Sequence, residues 1–480
     1  MSSSRPDAAP ERYRAIRREH WERLHTTYRR TRVASVVYHR RIERVFAQII
    51  PPGQRVLEIG CGRGDLLAAV RPSLGVGVDF SHVAMASARA AHPSLRFVEA
   101  DAHALPFSGA TFDVIILSDV VNDLWDVQRV LEEARRLTTP RSRVIVNCYS
   151  RVWEIPLRLL RMCHLSPPLL TQNWLTAIDI DSLLRLAGFE PIRHWEEVLC
   201  PLPLPFIEPL LNRLIVRFWP FSLGAVSNCF VARPRPVPFE VSPTVSVVIP
   251  ARNEAGHIPD IVRRVPDMGR WTELIFVEGH SRDDTLEAIR RAVTAASDRR
   301  ICVYQQTGEG KADAVRLGFE RSGGDMLMIL DADLTVAPED LPRFYEALVS
   351  GQGEFANGVR LVYPMEHRAM QFANAIANRA FGRIFSWIMG QPVRDTLCGT
   401  KVLWRQDYEQ ISATRQSFGE FDPFGDFDLL FGSARLQRRI IDIPIRYRER
   451  TYGTTNIRRW RHGVLLARMA LIGARRLKFV

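Results

Sequence analysis

A proline-rich stretch, ARPRPVPFEVSPT at residues 232–244, interrupts an otherwise regular alternation of apolar runs and amphipathic segments. The alternation begins again after it, and a chain of 480 residues is too long for one ordinary core. Prolines every few residues, without any periodicity, are typical of a linker. The sequence therefore predicts two separate α/β domains that are joined by a linker at residues 234–243.

The composition restricts the classes of protein and partner. Hydrophobic residues make up 46% of the chain and charged residues 25%, as in folded globular proteins. The net charge of +12 favours an anionic partner such as a nucleotide, a lipid phosphate or a membrane surface. The seven cysteines include no Cys-x-x-Cys pair, which argues against structural zinc or a disulfide framework and favours a reducing compartment.

Neither a secretory signal nor a membrane span is predicted. The N-terminal 30 residues are polar and basic without an apolar segment. No run approaches the roughly 20 apolar residues that a membrane span needs. We expect a cytoplasmic protein, either free or held peripherally at the cytoplasmic face of the membrane. No nucleic-acid partner is expected, because no segment resembles an RNA-binding module.

The first half contains a glycine-rich turn between a predicted strand and a predicted helix, RVLEIGCGRGDLLAAV at 55–70. Glycines in such a turn let a ligand approach the backbone closely. The next strand-like runs end at Asp79, Asp101 and Asp119. Polar groups at the carboxyl ends of parallel strands mark the usual binding crevice of an open sheet. A dinucleotide-binding turn would read Gly-x-Gly-x-x-Gly, whereas this turn reads Gly-x-Gly-x-Gly, preceded by Glu58.

These residues resemble the class I S-adenosylmethionine-dependent methyltransferases over residues 40–233. The resemblance implies a Rossmann-like seven-stranded sheet that ends in an antiparallel pair, with S-adenosylmethionine as the cofactor. The cofactor-binding residues that it implies are Glu58, Gly60, Gly62, Gly64, Asp79, Asp101, Ala102 and Ser118. Ser118 and Asp119 fall where family members line the methyl-transfer pocket. His82, His103 and His164 could each act as a base, although a surface or structural role is the better interpretation of any one of them.

The second half places two aspartates one residue apart, Asp331 and Asp333, after the apolar run MLMIL. In an extended backbone their side chains would share a face, and the two charges would repel unless a cation lay between them or they pointed into water. Two earlier strand-like runs end near Pro250 and at Glu278, and a glycine loop carries Lys311. This assembly suits a nucleotide diphosphate bound with Mg²⁺ or Mn²⁺.

The second pattern resembles the family 2 glycosyltransferases, and among them the dolichyl-phosphate mannose synthase and polyprenyl-phosphate glycosyltransferase branch. The resemblance implies a GT-A (nucleotide-diphospho-sugar transferase) fold and metal ligands at Asp331 and Asp333. The substrate contacts that it implies are Pro250, Arg252, Glu254, Glu278, Lys311, Asp331 and Arg360. Glu278 stands where many members have Asp, and Thr335 stands where the lipid-phosphate enzymes often have Gln, which leaves the donor sugar and the acceptor open.

Four residues are predicted to be catalytic in sugar transfer: Lys311, Arg394, Asp426 and Asp428. The cations would offset negative charge that grows on the departing diphosphate. A lipid-phosphate acceptor is largely ionised near neutral pH and needs little base catalysis. A hydroxyl acceptor would need Asp426 or Asp428 as its base, although a helix cap explains Asp426 equally well.

The predicted protein is a bifunctional transferase. Its predicted parts are a helical or disordered N-terminal extension (1–39), a methyltransferase domain (40–233), the linker (234–243), a glycosyltransferase domain (244–457) and a basic amphipathic tail (458–480). We expect metal-dependent, inverting sugar transfer from a nucleotide-diphospho-sugar to a lipid-phosphate or glycan acceptor, and methyl transfer to a related product. The alternative is an active glycosyltransferase with a non-catalytic, methyltransferase-like scaffold domain. The tail and residues 368–390 are expected either to lie on an anionic membrane or to pack on the core.

Overall fold

The computed structural model describes residues 8–27, 33–162, 170–239, 241–363, 372–413, 425–448, 452 and 459–479. The chain divides into two compact units, Met1–Arg235 with Phe479–Val480 and Pro236–Lys478, and the division near residue 235 falls inside the proline-rich stretch. Each unit contains a mixed sheet of seven strands. The expected fold class, two α/β domains, is therefore confirmed.

The strands of the first unit are β1 (Arg55–Ile59), β2 (Leu74–Asp79), β3 (Arg96–Glu99), β4 (Phe112–Ser118), β5 (Thr138–Tyr149), β6 (Phe189–Glu197) and β7 (Ser227–Pro234). Their order in the sheet is β3-β2-β1-β4-β5-β7-β6. Strand β7 runs antiparallel to both β5 and β6. All pairs among the first five strands (β1–β2, β2–β3, β1–β4 and β4–β5) are parallel. This order confirms the expected Rossmann-like sheet with a final antiparallel pair.

The helices of the first unit are α1 (Ala8–Thr27), α2 (Val33–Ile49), α3 (Asp65–Ala69), α4 (His82–Ala91), α5 (Val127–Arg136), α6 (Glu154–Met162), α7 (Ala177–Leu186) and α8 (Ile207–Pro209). Side chains in β1 alternate between two cores, because successive residues of a strand point to opposite faces. Leu57 and Ile59 pack in one core with residues of α5 and α7, whereas Val56 packs in the other with residues of α2 and α4. The sheet is therefore covered on both faces.

Several helix starts in the first unit follow from capping side chains. Ser81 accepts a hydrogen bond from the backbone of α4, and Asp126 accepts one from the backbone of α5. Thr176 and Asp179 form a reciprocal capping box at the start of α7. Such caps satisfy backbone N–H groups that lack partners within the helix. They fix where the chain turns from loop to helix beside the sheet.

The strands of the second unit are β8 (Val245–Ala251), β9 (Thr272–Glu278), β10 (Arg300–Gln305), β11 (Met326–Ile329), β12 (Phe355–Val359), β13 (Lys401–Trp404) and β14 (Ile440–Pro444). Their order is β10-β9-β8-β11-β13-β12-β14. Strand β13 runs antiparallel to β11 and β12, and the other pairs are parallel. Strands β8, β9 and β11 are neighbours, so their carboxyl ends meet at one edge of the sheet.

The helices of the second unit are α9 (Ile258–Arg264), α10 (Thr285–Ala295), α11 (Lys311–Arg321), α12 (Leu341–Val349), α13 (Phe372–Met389), α14 (Arg405–Ala413), α15 (Asp426–Arg435) and α16 (Arg459–Gly473). Single 3₁₀ or π turns in the two units lie at Arg151–Trp153, Leu210–Leu214, Ile215–Arg217, Phe221–Gly224, Pro338–Asp340 and Ala474–Lys478. The core of this sheet is nearly all aliphatic and aromatic, with Val247, Ile249 and Phe276 fully buried.

Helices α13 and α16, which belong to the two stretches with an expected membrane role, pack against each other. Leu466 and Met469 of α16 are buried, whereas Val464 and Leu471 are exposed. Phe385 of α13 is fully buried. Helix α16 therefore has one packed face, and its exposed face carries Arg468 between Val464 and Leu471. In the part of the chain that the structure describes, no helix is long and apolar enough to cross a membrane.

Candidate functional site

A cavity of about 630 Å³ lies in the first unit, at the carboxyl ends of the parallel strands. Its lining includes seven of the eight residues that were predicted to bind cofactor: Glu58, Gly60, Gly62, Asp79, Asp101, Ala102 and Ser118. The eighth, Gly64, has a φ of 73° at the start of α3, where an added Cβ would overlap the ring of Phe97. Gly64 therefore permits the turn to pack on the sheet, and it does not line the cavity.

The glycine-rich turn brings backbone to the cavity wall. Gly60 has a φ of 76°, and a Cβ there would lie 2.6 Å from a methyl group of Val120. Asp79, at the end of β2, accepts hydrogen bonds from the backbone of Gly62 at 3.0 Å and of Ser81 at 2.9 Å. These hydrogen bonds hold the carboxylate against the glycine-rich turn, and Asp79 lines the cavity.

Glu58 gives a direct test of whether a ligand fits this cavity. Its side chain is almost fully buried, and among the described residues its Oε2 atom has no hydrogen-bond partner. Burial raises the pKa of this carboxyl group well above its usual value. Buried polar atoms without a partner are rare in folded proteins, and a bound donor group would satisfy this one. The residues present therefore fit a cofactor with an amino group, such as S-adenosylmethionine.

Asp101, the predicted adenine contact, already has protein partners. One carboxylate oxygen accepts from the backbone and the ring Nδ1 of His103, at 2.9 and 2.7 Å. The other oxygen pairs with Arg14 of α1. Burial works to raise the pKa of Asp101, but these hydrogen bonds outweigh it and the pKa is lowered. Sequence reasoning missed Arg14, because nothing in a polar N-terminal helix indicates where it docks.

Helix α1 forms part of the cavity lining through several side chains. Tyr13, Arg14, Arg17 and Trp21 all line it. The Nε atom of Arg17 lies 3.4 Å from a carboxylate oxygen of Asp123, and the Arg17 side chain is almost fully buried. The predicted N-terminal extension is therefore helical where the structure describes it, and it packs beside the expected cofactor site.

Asp119 lines the cavity immediately after β4, with a φ of 56°. Its Oδ1 atom accepts hydrogen bonds from the hydroxyl of Tyr38 at 2.7 Å and from the amide of Asn147 at 2.8 Å. Burial raises the pKa of this carboxyl group to about 7, although both hydrogen bonds work to lower it. A carboxyl group with such a pKa can accept a proton near neutral pH.

The histidines that were considered as bases lie in different places. His103 lines the cavity and contacts Asp101, whereas His82 is exposed and lies 3.0 Å from Glu99. His164 lies outside the described residues. Sequence reasoning placed Asp119 at the pocket but did not identify it as a proton acceptor. Its pKa depends on contacts with Tyr38 and Asn147, which come from distant parts of the chain.

In the second unit, the two aspartates follow β11 in a turn. Strand β11 ends at Ile329, and Ala332 and Asp333 lie in the turn, so alternation along an extended strand does not apply here. Ala332 is buried while Asp331 and Asp333 are half-buried. Asp333 accepts hydrogen bonds from the backbone and the hydroxyl of Thr335, at 3.1 and 2.8 Å.

The charges of both carboxylates act on the hydroxyl of Tyr447. Burial raises the pKa of its hydroxyl, the charge of Arg360 lowers it, and the charges of Asp333 and Asp331 raise it further. The guanidinium group of Arg360 lies 5.1 Å from the ring centre of Tyr447. Sequence reasoning did not single out Tyr447, which lies in the stretch IPIRYRER after β14.

Lys311 and Gly399 complete this cluster. The ammonium group of Lys311 lies 2.6 Å from an oxygen of Asp331. A Cβ added at Gly399 would overlap both Asp331 Oδ2 and Lys311 Nζ. The backbone at Gly399 therefore closes over the carboxylate, and a side chain there would displace Asp331 and Lys311. The signal in the sequence was the Arg-Asp-x-x-x-Gly segment that ends at Gly399.

The other predicted substrate contacts lie at the ends of β8 and β9. Glu278 is buried and accepts hydrogen bonds from the backbone of Ser281 and, at 3.1 Å, from the side chain of Gln305. Burial works to raise the pKa of Glu278, but the hydrogen bonds lower it overall. Glu254 is buried 3.0 Å from the ring of His257. Pro250 is half-buried and Arg252 is exposed.

The structure does not bring together all the residues that were predicted to bind substrate or to be catalytic. Arg360 makes a buried bidentate pair with Asp395, at 2.7 and 2.9 Å, so its charge is already compensated. Asp428 is buried 2.6 Å from Arg316. Arg394 is exposed, and its backbone donates to Asp442. Asp426 is the first residue of α15, and its side chain lies outside the described residues.

The carboxylates can serve as ligands of a divalent cation. Within the described ranges, no group of three or more His, Cys, Asp or Glu side chains has the arrangement of a metal site. Mg²⁺, however, is usually held by one or two carboxylates together with substrate phosphates and water. Asp331 and Asp333 fit that requirement, because both carboxylates are half-buried just after β11 and Lys311, which pairs with Asp331, is a cation that a metal could displace.

Two family models match the chain. "Methyltransferase domain" matches residues 57–146, and "Glycosyl transferase family 2" matches residues 246–411. Both predicted resemblances are confirmed at this level. The second unit is consistent with the GT-A fold that the family match implies.

Curated relatives are undecaprenyl-phosphate 4-deoxy-4-formamido-L-arabinose transferases. The protein from Pseudomonas aeruginosa is 35% identical over 121 residues, which are 24% of this chain and 35% of that protein. The protein from Klebsiella pneumoniae is 26% identical over 213 residues, which are 44% of this chain and 61% of that protein. The chain thus spans between a third and three-fifths of the length of these relatives.

Solved structures with similarity to the chain include S-adenosylmethionine-dependent methyltransferases. One from Thermotoga maritima has 19% identity and a TM-score of 0.35, covering 47% of this chain and 97% of that one. Another from Mesorhizobium loti has 19% identity and a TM-score of 0.32, covering 40% and 95%.

Proposed function

Since the chain joins a methyltransferase domain to a family 2 glycosyltransferase domain, we propose that it is a bifunctional transferase. The second unit transfers a sugar from a nucleotide-diphospho-sugar to a polyprenyl-phosphate or glycan acceptor. The first unit transfers a methyl group from S-adenosylmethionine to a related product. The observation that carries the proposal is the pair of Asp331 and Lys311 beneath the backbone of Gly399, with Asp333 two residues further along the same turn.

Sugar transfer depends on charge at the donor diphosphate. A divalent cation held by Asp331 and Asp333 would neutralise part of the diphosphate charge. Lys311 lies 2.6 Å from Asp331, so it is positioned to contact the diphosphate once that carboxylate binds metal. Arg360 acts through Asp395 and Tyr447 as a positioning residue, because its guanidinium group is already paired. Arg394 is exposed and supplies a second cation toward the substrate.

The acceptor is proposed to be a lipid phosphate. Asp428, one of two predicted bases for a hydroxyl acceptor, is buried against Arg316 at 2.6 Å. A phosphate acceptor is already ionised near neutral pH and needs no such base. The curated relatives, whose names specify undecaprenyl phosphate, support the same class of acceptor. Nucleophilic attack by the phosphate oxygen on the anomeric carbon would invert its configuration.

Methyl transfer is proposed to use Asp119 as the proton acceptor. S-adenosylmethionine supplies a methyl group that its sulfonium leaving group already activates. Glu58 would hold the amino group of the cofactor, and the positive φ angles of Gly60 and Gly62 would let the cofactor lie close to the backbone of the turn. Asp119 would accept the proton that the acceptor oxygen or nitrogen loses as it takes up the methyl group, and S-adenosylhomocysteine would be the leaving product.

One observation favours a second candidate, in which the first unit is a scaffold without activity. Arg14 of α1 pairs with the Asp101 oxygen that His103 does not contact. An adenine amino group would have to compete with that guanidinium group for the carboxylate. Titration of the whole chain with S-adenosylmethionine in a calorimeter separates the candidates, because a scaffold of this kind would give no binding heat.

Sugar transfer is tested by nucleotide release from the purified chain. UDP-, GDP- and dTDP-sugars are incubated with Mn²⁺, with and without a polyprenyl phosphate. We expect one donor to be turned over, faster with the lipid phosphate than without it, and we expect chelation of the metal to stop the reaction. Turnover that persists after chelation would refute the role of the aspartates as metal ligands.

A further inference from the structure

Exposed apolar side chains in the first unit are concentrated in two segments, residues 151–162 and 202–223. More than half of the large exposed apolar side chains in the described chain belong to them. Phe206 and Trp219 protrude furthest, with 89% and 79% of their surface exposed. We call the two segments together the apolar collar. Large groups of exposed apolar side chains often mark a binding surface.

The two segments of the apolar collar are adjacent, and they border the cavity. The ring nitrogen of Trp153 donates a hydrogen bond to the carbonyl oxygen of Gly224, at 3.0 Å, which joins the first segment to the end of the second. Trp153 and Leu157 line the cavity, and so does Pro201, which immediately precedes the second segment. The apolar collar therefore lies beside the site where a methyl acceptor would reach Asp119.

The shape of the apolar collar favours a lipid bilayer over a protein. Prolines keep residues 202–209 out of regular strand structure, so the segment offers no sheet edge for a partner strand. A protein interface has a densely packed core, which needs complementary surfaces. A bilayer accepts side chains that protrude singly, and Trp and Phe are favoured at its interface.

The charges in the same segments match an anionic surface. In the described parts of the apolar collar, the exposed charged residues are Arg151, Arg158 and Arg213, all of them basic. The acids are half-buried: Glu154 pairs with Arg158, and Glu208 accepts from the amide of Asn212. Basic residues near an anionic membrane add to the affinity of inserted apolar side chains.

We propose that the apolar collar docks the methyltransferase domain on a bilayer that contains anionic phospholipid. Phe206 and Trp219 insert below the headgroups, and the exposed arginines contact lipid phosphates. The cavity then opens at the height of the headgroups. Resting on the proposed function, this placement identifies the methyl acceptor as a sugar or phosphate group carried on a membrane lipid.

The test is co-sedimentation of the full chain with vesicles of phosphatidylglycerol and phosphatidylcholine. Salt at about 0.5 M screens electrostatic binding by the basic C-terminal residues. We expect the double variant Phe206→Ser/Trp219→Ser to bind at least about tenfold more weakly than the wild type, because it loses two inserted aromatic rings. Both side chains are exposed, so the fold is retained. The matched control is Ile178→Ser/Leu186→Ser on α7, which removes two other exposed apolar side chains, with 81% and 64% of their surface exposed, and should bind as the wild type does.

Three results would overturn the proposal. The variant Phe206→Ser/Trp219→Ser could bind vesicles as the wild type does, or the control variant could lose as much binding. The third is that the wild type is a dimer, that Phe206→Ser/Trp219→Ser is a monomer, and that the control variant is still a dimer. The last result, seen by light scattering, would assign the apolar collar to a second copy of the chain. Affinity for S-adenosylmethionine is measured separately by calorimetry without vesicles. Its absence in the wild type would refute methyl transfer while leaving the result on membrane docking intact.

Discussion

At the scale of single residues, the chemistry of the first unit depends on the surroundings of Asp119. Tyr38, Asn147 and the cavity wall come from three parts of the chain, and together they hold the carboxylate and raise its pKa to about 7. The sequence predicts that Asp119 lies at the pocket, because it follows a buried strand. The pKa could not be predicted, since it depends on tertiary contacts and burial.

Asp119→Asn keeps an Oδ1 atom that can accept the hydrogen bonds from Tyr38 and Asn147, but the amide cannot take up a proton near neutral pH. We expect methyl transfer to fall by about 10²- to 10⁴-fold, because a positioned base contributes roughly that much. In the wild type, kcat/KM should rise with pH through about 7 and then level off, as Asp119 loses its proton. Initial rates with S-adenosylmethionine across pH 5.5–8.5 (a range spanning roughly 1.5 pH units either side) measure both effects.

The same variant should not be less stable at high pH. A carboxyl group whose pKa is raised by folding costs stability as the pH rises from its unfolded value of about 3.9 through its folded value. Asp119→Asn removes that cost, so its Tm at pH 8 should exceed that of the wild type, and the gain should shrink as the pH falls. A lower Tm at pH 8 would mean that the charge is needed for the fold.

Gly399 gives a second prediction at the scale of residues. An added methyl group would overlap Asp331 and Lys311, so Gly399→Ala must displace the pair that is expected to hold metal and diphosphate. We expect donor turnover to fall by at least about tenfold, since small displacements at a catalytic site are costly. The matched control is Gly463→Ala on α16, where an added Cβ meets nothing within 4 Å. Equal turnover by both variants would contradict the proposed site.

At the scale of elements, the sequence predicts strands better than the contacts of helices. Strands β1, β4, β8 and β11 are mainly apolar and mostly buried, and polar residues follow them, a pattern that is typical of strands buried on both faces. The docking of α1 beside the cavity could not be predicted, because its surface is polar and its contacts are a few specific pairs. The sequence pattern also did not predict the exact end of β11. Because the strand ends at Ile329, the two aspartates lie beyond it, at a turn.

Helix α16 provides a test at the scale of elements. Met469 is buried while Val464 is exposed on the same helix. We expect Met469→Ala to lower the free energy of unfolding by about 2–4 kcal/mol, because it leaves a cavity in the core. Val464→Ala should change it by less than about 0.5 kcal/mol, as is usual for surface substitutions. Urea denaturation of both variants measures this, and equal effects would contradict the packed face of α16.

At the scale of the whole molecule, the two units are expected to fold independently. Each has its own sheet and its own core, and the division between Arg235 and Pro236 falls in a stretch without a burial pattern. Residues 1–236 and 238–480, expressed separately, should each be soluble and unfold cooperatively. Insolubility of both fragments, or one shared transition in the whole chain, would mean that the domain boundary is misplaced.

The most direct measurement of the central claim uses Asp333→Ala in the full chain. Sugar transfer with Mn²⁺ and calorimetric binding of S-adenosylmethionine are measured on the same preparation. The two-site account predicts that the variant loses donor binding and turnover, because one carboxylate ligand of the metal is gone, while its affinity for S-adenosylmethionine stays that of the wild type. Normal donor turnover by Asp333→Ala would contradict the metal site, and lost S-adenosylmethionine affinity would contradict the independence of the two sites.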